Sequence, residues 1–395
     1  MAVNTSASLF TSGSVSDPQS PLVAGVVSYN GLIPIFGTTG SDGQSETEIG
    51  LINVNNYNEW IAKLNEKGYT NGPTGAWAGE WWAVHNYLLY GGKCLIGGTG
   101  STGDYYFANG GFCAASTPLH NKDLTDIQVI FDSGNTFSAG AAVSVATTRE
   151  DCMAIIGNYK KISNTPLASA YVSHVGDFGI TTGSEHVIYV AGRKKFTAGI
   201  NNTVTIRESN LSPDIAGCIA RSARDARIWT PPAGKTRGAI KGILSLQQNF
   251  TETDSNYLLS GRVNPIKTFP GEGTFFFGNQ TAYTGSLNYL NKINVMLMVS
   301  YLKKELLKIA QGLLYEINNA NTRQRFVSSA NSVLENLLFQ NGIENFKIIC
   351  NETNNTATII QQNKLVANVF VQPVFAAEAI EITIINTTES EIFTS

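Results

Sequence analysis

Residues 127 to 156 read IQVIFDSGNTFSAGAAVSVATTREDCMAII, and this stretch decides the fold of the region around it. Ile127 to Phe131 and Met153 to Ile156 are short apolar runs with β-branched residues, which predicts two buried strands. Ser138 to Asp151 lies between them and predicts a helix. A strand, a helix and a second strand within about 30 residues form a βαβ unit, whose two strands are parallel. The sequence therefore predicts a parallel sheet here.

The segments before this unit predict strands and helices separated by polar loops. Leu22 to Phe36 is an apolar, β-branched run that predicts one or two strands. Asn56 to Gly68 and Glu80 to Tyr90 carry aromatic residues at helical spacing, and Lys93 to Ile96 predicts a short strand. Residues 97 to 121 are rich in glycine, asparagine and serine, so we predict an irregular insertion there.

The second half of the chain predicts long helices followed by strands. Apolar residues recur at steps of three and four from Leu302 to Ile317, and again from Phe326 to Leu338 before Gly342. Further strands are predicted at 346–350, 366–371 and 379–385. Helices followed by strands are typical of an α+β domain. Between the two halves, Gly176 to Gly199 predicts only short strands and loops.

These patterns predict a multidomain chain of mixed α+β and α/β class. We divide it into an extended arm at 1–21, a central α/β region at 22–213, an α+β core at 214–378, and a strand with a tail at 379–395. The first range is polar, lacks periodicity and carries Pro18, which favours an extended segment. In the last range polar residues alternate with apolar ones, which predicts a strand with one apolar face formed by Ile380, Ile382 and Ile384.

Charged residues are scarce in this chain. Asp, Glu, Lys and Arg make up 14% of the residues, against about 25% in a typical soluble domain. A weakly charged surface favours a protein that is largely covered by partners. The formal net charge is −3 and neither sign forms a long run. Because binding to the phosphate backbone needs clustered Lys and Arg, we predict no nucleic-acid partner.

The sequence contains no recognisable catalytic, cofactor-binding or metal-binding motif. Its four histidines are scattered, and its five cysteines are far apart, which predicts buried thiols rather than a zinc site. A nucleophile elbow and a phosphate-binding loop are absent. Met1 to Gly13 lacks the features of a signal peptide, and Lys and Glu residues interrupt the apolar stretch Ile293 to Ile317. We therefore predict no catalytic residue, no cofactor, no metal and no membrane insertion.

Two stretches leave other functions open. Gly98, Gly100 and Gly103 follow a predicted strand and form the GxGxxG pattern of dinucleotide sites, which would suit a nucleotide-dependent enzyme. Such a site needs a helix directly afterwards, and the aromatic, glycine-rich residues after Gly103 form helices poorly. The aromatic and asparagine-rich stretch from Trp77 to Phe112 leaves open a receptor- or glycan-binding module on a virion.

Several short motifs follow one another in a fixed order in the second half. They begin at Asp214, include two Pro- and Gly-containing turns, continue through the long helices and end near Ile380. In this order they resemble the tail sheath proteins of contractile phage tails and related injection machines. Met298 departs from the family, which often has arginine there. The positions that match the family pattern are Asp225, Trp229, Pro232, Gly234, Asn264, Pro265, Gly278 and Glu378.

The resemblance implies a structural subunit of a contractile sheath. It implies copies of the chain in a helical homo-polymer of hexameric rings around an inner tail tube, with baseplate and tail terminator proteins as further partners. It places the protein in the virion tail after assembly in the host cytoplasm. Contraction would be a rigid-body rearrangement of subunits between two packings.

The resemblance also implies that the arm at 1–21 and the strand at 379–395 add to sheets of neighbouring subunits. Such strand addition needs apolar side chains on one face and an open sheet edge on the partner. For Asp225, Trp229 and Glu378 we expect packing or salt-bridge roles rather than chemistry. The residues expected at the assembly interface are Val3, Leu9, Phe10, Val15, Ile380, Ile382 and Ile384.

Overall fold

The computed structural model describes residues 23–27, 51–66, 78–97, 122, 126–132, 136–157, 168–175, 184–200, 203–286 and 289–378. Three predicted features lie outside these residues: the arm at 1–21, the strand at 379–385 and, apart from Gly97, the insertion at 97–121. The same holds for the GxGxxG glycines and for every residue expected at the assembly interface. Those predictions therefore stay predictions.

Strands and helices alternate along the described residues. The strands are β1 Val23–Val27, β2 Leu51–Val54, β3 Lys93–Gly97, β4 Val129–Asp132, β5 Met153–Ile156, β6 Val187–Val190, β7 Arg193–Ile200, β8 Thr203–Asn210, β9 Ser245–Leu246, β10 Val263–Asn264, β11 Ile266–Phe269, β12 Gly273–Phe276, β13 Ile343–Ile349 and β14 Asn368–Pro373. The helices are α1 Tyr57–Glu66, α2 Ala78–Leu88, α3 Thr136–Arg149, α4 Ala168–His174, α5 Ser212–Asp225, α6 Gly234–Arg237, α7 Glu252–Ser260, α8 Ile293–Gln311, α9 Ala320–Phe339 and α10 Ala357–Gln361.

A seven-stranded sheet occupies the middle of the molecule, in the order β10-β6-β5-β4-β1-β3-β2. Its pairs are parallel except for β2 with β3. The predicted βαβ unit forms its centre as β4, α3 and β5. Every residue of β4, β5 and β6 is buried, as expected when helices cover both faces of a parallel sheet. The predicted α/β class is confirmed for this region.

Helices from both halves of the chain cover this sheet. On one face Val129 packs in the same apolar cluster as Ile215 of α5, and on the other Ile130 packs with Ala142 of α3. The strand β10, from the second half, completes the sheet beside β6. The larger cluster includes residues from Val54 to Val371. The two regions predicted from the sequence thus share one sheet and one core, and the boundary at 213/214 stays a prediction.

The hairpin of β7 and β8 was not expected. These strands pair antiparallel from Arg193 with Asn210 to Ile200 with Thr203. Within the range predicted to hold short strands and loops, β6 is a short strand, but β7 is longer than predicted at eight residues. The ribbon buries apolar residues on one side only, Phe196 among them, while Val204 to Glu208 are exposed. The buried side carries Lys194 and Ala198 beside Phe196, whereas Val204 and Ile206 are exposed, so the apolar pattern does not mark the buried face.

The C-terminal region contains α8, α9 and the antiparallel pair β13–β14, which confirms the α+β class. The helix predicted over Leu302 to Ile317 in fact spans Ile293–Gln311, ends at the C-cap Gly312, and leaves Ile317 76% exposed. Its first eight residues are all buried. An apolar stripe cannot be recognised where every side of a helix is apolar. Among the described helices, none combines the length and the apolar content needed to cross a membrane.

Candidate assembly site

The pair β13–β14 is a small sheet with one buried and one exposed face. Val369, Val371 and Pro373 of β14 are buried, whereas Phe370 and Gln372 between them are exposed. Among the described residues this sheet has two strands. The outer edge of each strand therefore carries backbone groups without a described strand partner, which is the feature that strand addition requires.

The chain leaves this sheet towards the start of α8, where Glu378 is held. After β14 ends, residues 375 to 378 are exposed. Lys292 Nζ donates to Glu378 Oε2 over 2.6 Å, and Asn279 Nδ2 donates to Glu378 Oε1 over 3.1 Å. The segment 379–395 therefore begins at a point fixed by two side chains of the C-terminal core.

Asn279 also holds the first turn of α8. Its backbone oxygen accepts a hydrogen bond from the Ile293 amide over 3.1 Å. Its side chain exchanges two hydrogen bonds with Asn294, accepting from the Asn294 amide at 3.3 Å and donating to Asn294 Oδ1 at 2.8 Å. The N-cap residue, Lys292, makes no side-chain cap of its own. Asn279 therefore satisfies amides that a helix start leaves unpaired.

Trp229 connects the start of α8 with the end of α9. Asn294 Nδ2 donates to the Trp229 carbonyl over 3.3 Å, and Trp229 Nε1 donates to the Gln340 carbonyl over 3.2 Å. The indole is 6% exposed. A Cβ on Gly342 would lie 3.2 Å from the indole, so the turn into β13 passes close over this ring and favours glycine. The contacts agree with the packing role expected for Trp229.

Asn264 joins the parallel sheet to the loop that carries Asn279. Its Nδ2 donates to the carbonyls of Tyr189 at 2.9 Å and Gln280 at 2.7 Å, and its Oδ1 accepts from the Gln280 amide at 2.9 Å. A Cβ on Gly278 would collide with the Asn264 side chain. Next to it, the Pro265 carbonyl accepts from the Phe277 amide over 3.1 Å.

The structure thus brings some of the family-like positions together and leaves others apart. Trp229, Asn264, Pro265, Gly278 and Glu378 belong to one region of contacts around the start of α8.

The remaining family-like positions have different surroundings. Asp225 pairs on the surface with its neighbour Arg224 over 2.8 Å. Pro232 is buried, and Gly234 has φ +83° with open space where a Cβ would point.

Sequence reasoning missed Lys292, Asn279 and Asn294 as parts of this site. They are single polar residues without a periodic pattern, and their partners are distant in sequence. The family-like positions Gly278 and Glu378 pointed to this region, but not to these three partners.

A second polar cluster lies deep in the core. Lys194 Nζ is 2.7 Å from Asp214 Oδ1, and both side chains are completely buried. Tyr90 Oη donates to the same carboxylate oxygen over 2.9 Å and accepts from the Lys241 amide over 2.8 Å. Burial raises the pKa of Asp214, and the Lys194 ammonium opposes this effect. The cluster ties β7, α5 and the turn after α2 together, in a place that a substrate in solution does not reach.

The His, Cys, Asp and Glu residues of the described part of the chain are the side chains that could bind a metal or act as a nucleophile. Among them, no group of three or more His, Cys, Asp or Glu residues could hold a metal ion. Burial raises the pKa of the Cys152 and Cys218 thiols to about 12. At neutral pH these thiols are protonated and do not act as nucleophiles.

Comparisons with known proteins agree with these observations. Residues 288–387 match the family model described as phage tail sheath C-terminal domain. The tail sheath protein of Vibrio phage KVP40 is 34% identical over 163 residues, which are 41% of this chain and 24% of that protein. The tail sheath protein of Enterobacteria phage T4 is 27% identical over 241 residues, 58% of this chain and 36% of that protein. The matches thus span well under half of these curated relatives.

A solved structure extends the comparison to nearly the whole chain. This structure is the sheath complex of an extracellular contractile injection system, PVC, in its contracted state. The alignment covers 98% of this chain and 100% of the chain in that structure. Its TM-score is 0.69 at 16% identity, so the likeness concerns the fold. The resemblance found in the sequence is therefore confirmed: the chain has the fold of contractile sheath subunits, and residues 288–387 match the phage tail sheath C-terminal domain.

Proposed function

We propose that this chain is a structural subunit of a contractile tail sheath. Copies polymerise around an inner tube and contract by subunit rearrangement, which drives the tube through a cell envelope. The observation that carries the proposal is the small sheet β13–β14, whose outer edges have no described strand partner, beside the fixed exit of residues 379–395. The partners are further copies, the inner tube, the baseplate and the tail terminator, in a virion tail assembled in the host cytoplasm.

Strand addition between such copies extends an array without closing it. The segment 379–395 of one copy and the edge of β13–β14 on another are different surfaces, so their contact is heterologous. Heterologous contacts form rings when the rotation closes and helical filaments when it does not. An isoleucine face on the added strand suits a half-buried position next to β14.

The proposed function needs no catalysis. Contraction is a rigid-body change between two packings of the same subunits, with the strands as connections. A metastable extended state, trapped kinetically, supplies the energy. The relatives are named tail sheath proteins, which supports a subunit that is not an enzyme.

Electron microscopy of the purified chain over a concentration series tests the proposal. We expect tubes or stacked rings from the full chain, and monomers when residues 1–21 and 379–395 are both removed. Replacing Ile380, Ile382 and Ile384 by Thr should abolish assembly as well. The matched control changes the opposite face, with Glu381→Gln and Thr383→Ser, and should still assemble. Polymers of the doubly truncated chain would overturn the role of these segments, and monomers of the full chain at every concentration would overturn self-assembly.

A further inference from the structure

Glu378, the residue before the segment 379–395, is held by charge rather than by apolar packing. Glu378 is exposed as a residue, yet both of its carboxylate oxygens have partners. Its side chain is 38% exposed and that of Lys292 is 20% exposed, so water reaches the ion pair only in part. The two oxygens are bound by different residues, which fixes the orientation of the carboxylate as well as its position.

Both partners of Glu378 belong to the rigid core. Lys292 is the N-cap residue of α8, which spans 19 residues. Asn279 is 5% exposed, and its other hydrogen bonds hold the first turn of α8. A carboxylate near the N-terminus of a long helix also interacts favourably with the helix dipole. The position of Glu378 is therefore dictated by the start of α8.

We propose that Glu378, Lys292 and Asn279 form a clamp that sets the direction in which residues 379–395 leave the subunit, and so prepares this segment to pair with a neighbouring copy. This Glu378 clamp rests on the proposed function, because it matters only if the segment binds another subunit. Glu378 acts as a positioning residue: the strand makes the contact, and the clamp determines where it starts.

Pre-organisation is the physical basis of this role. A segment that is free to point in many directions loses that freedom on binding, and the loss weakens the association. A segment that follows directly on a fixed residue, as residues 379–395 follow Glu378, loses less. Ion pairs with partial exposure have modest energies, so removing the clamp should raise the critical concentration for assembly about two- to fivefold. In a polymer every subunit carries the clamp, which makes a change of this size measurable.

The test uses the full chain and measures two quantities, the critical concentration by sedimentation and the melting temperature of the unassembled subunit. We expect Glu378→Gln to raise the critical concentration and to leave the melting temperature unchanged. The matched control is Glu272→Gln, which breaks another lysine–glutamate pair, Lys235 with Glu272 at 2.5 Å, on a different part of the surface. This control should assemble like the unmodified chain.

A charge exchange provides the second arm of the test. Lys292→Glu alone and Glu378→Lys alone place like charges together, and each should raise the critical concentration. The double variant restores a pair of opposite charges, and its critical concentration should be lower than that of either single variant. Equal critical concentrations for the unmodified chain and Glu378→Gln would overturn the clamp, and so would a lower melting temperature that accounts for the assembly defect. If the unmodified chain itself never assembles, the proposed function fails instead.

Discussion

At the scale of a single residue, Asp132 shows how burial makes a carboxyl group harder to ionise. The carboxylate is completely buried at the end of β4. It accepts hydrogen bonds from Ser212 Oγ, from Asn210 Nδ2 at 2.8 Å and from the Gly157 amide at 3.2 Å. Its Oδ2 has no partner among the described residues. Burial raises the pKa of Asp132 to about 6, although these hydrogen bonds favour the charged form.

The raised pKa predicts a pH-dependent stability. Between about pH 4 and pH 6 the folded chain keeps a proton on Asp132 that the unfolded chain releases, so the free energy of unfolding falls as the pH rises through this window. A pKa raised from 3.8 to about 6 corresponds to a decrease of about 3 kcal/mol in the free energy of unfolding across this window. Asp132→Asn has no carboxyl group to titrate and should lack this loss.

Urea unfolding of both chains at a series of pH values tests this expectation. Other groups titrate in the same range, so the informative quantity is the difference between the two free energies of unfolding at each pH. It should change by about 3 kcal/mol from pH 4 to pH 7. A difference that does not depend on pH would show that the pKa of Asp132 is the same in the folded and the unfolded chain.

The sequence points to single residues more readily than to their contacts. Trp229 and Glu378 could be singled out because their motifs follow a family order, and both have contacts that agree with packing or salt-bridge roles. Their partners Gln340 and Lys292 could not be found, because a hydrogen bond across some hundred residues leaves no pattern in one sequence. The three-dimensional fold alone brings such pairs together.

At the scale of elements, α5 and the turn after α2 approach each other closely at Gly217. A Cβ on this residue would collide with the ring of Tyr90, whose side chain is buried and bonded to Asp214. We expect Gly217→Ala to destabilise the chain. Overpacking costs about 1–3 kcal/mol, whereas the better helix propensity of alanine returns at most about 1 kcal/mol. The collision should therefore outweigh the propensity.

Urea unfolding of two glycine variants separates these effects. Gly312 is the C-cap of α8, and a Cβ there would meet its nearest atoms at 3.6 and 3.8 Å, an ordinary contact. Gly312→Ala should consequently be close to neutral. If the Gly217→Ala variant is as stable as the unmodified chain, the ring of Tyr90 moves aside without a cost in the free energy of unfolding.

Elements were predicted well where their periodicity is strong and poorly where it is not. The βαβ unit and α9 have clear apolar patterns, and both lie close to their predicted places. The first turns of α8 are buried on every side, and the β7–β8 ribbon is largely exposed along β8. The start of α8 shows no alternation of apolar and polar residues, and in β8 the alternating residues Val204 and Ile206 are exposed rather than buried, so the sequence carries little sign of either boundary.

At the scale of the whole molecule, the arrangement of the core predicts how the chain unfolds. The strand β10 places residues of the second half in the central sheet, and α5 covers one face of that sheet. Neither predicted region keeps a complete apolar core when the other is removed. The buried pair of Lys194 and Asp214 adds a link between β7 and α5. We therefore expect both regions to unfold in a single transition, although chains of this length often show several.

Lys194→Met tests this cooperativity directly. Removing one partner of a buried ion pair costs about 3–5 kcal/mol, because the remaining charge is left uncompensated. Below the concentration of assembly, tryptophan fluorescence and circular dichroism should report the same decrease in the unfolding midpoint. Amide exchange should show that the free energy of opening decreases equally in β4 and in α9. A shift confined to the central sheet, with α9 unchanged, would show two independent units. Such a result would contradict the single cooperative unit expected from the shared sheet, and with it one argument for subunits that move as rigid bodies.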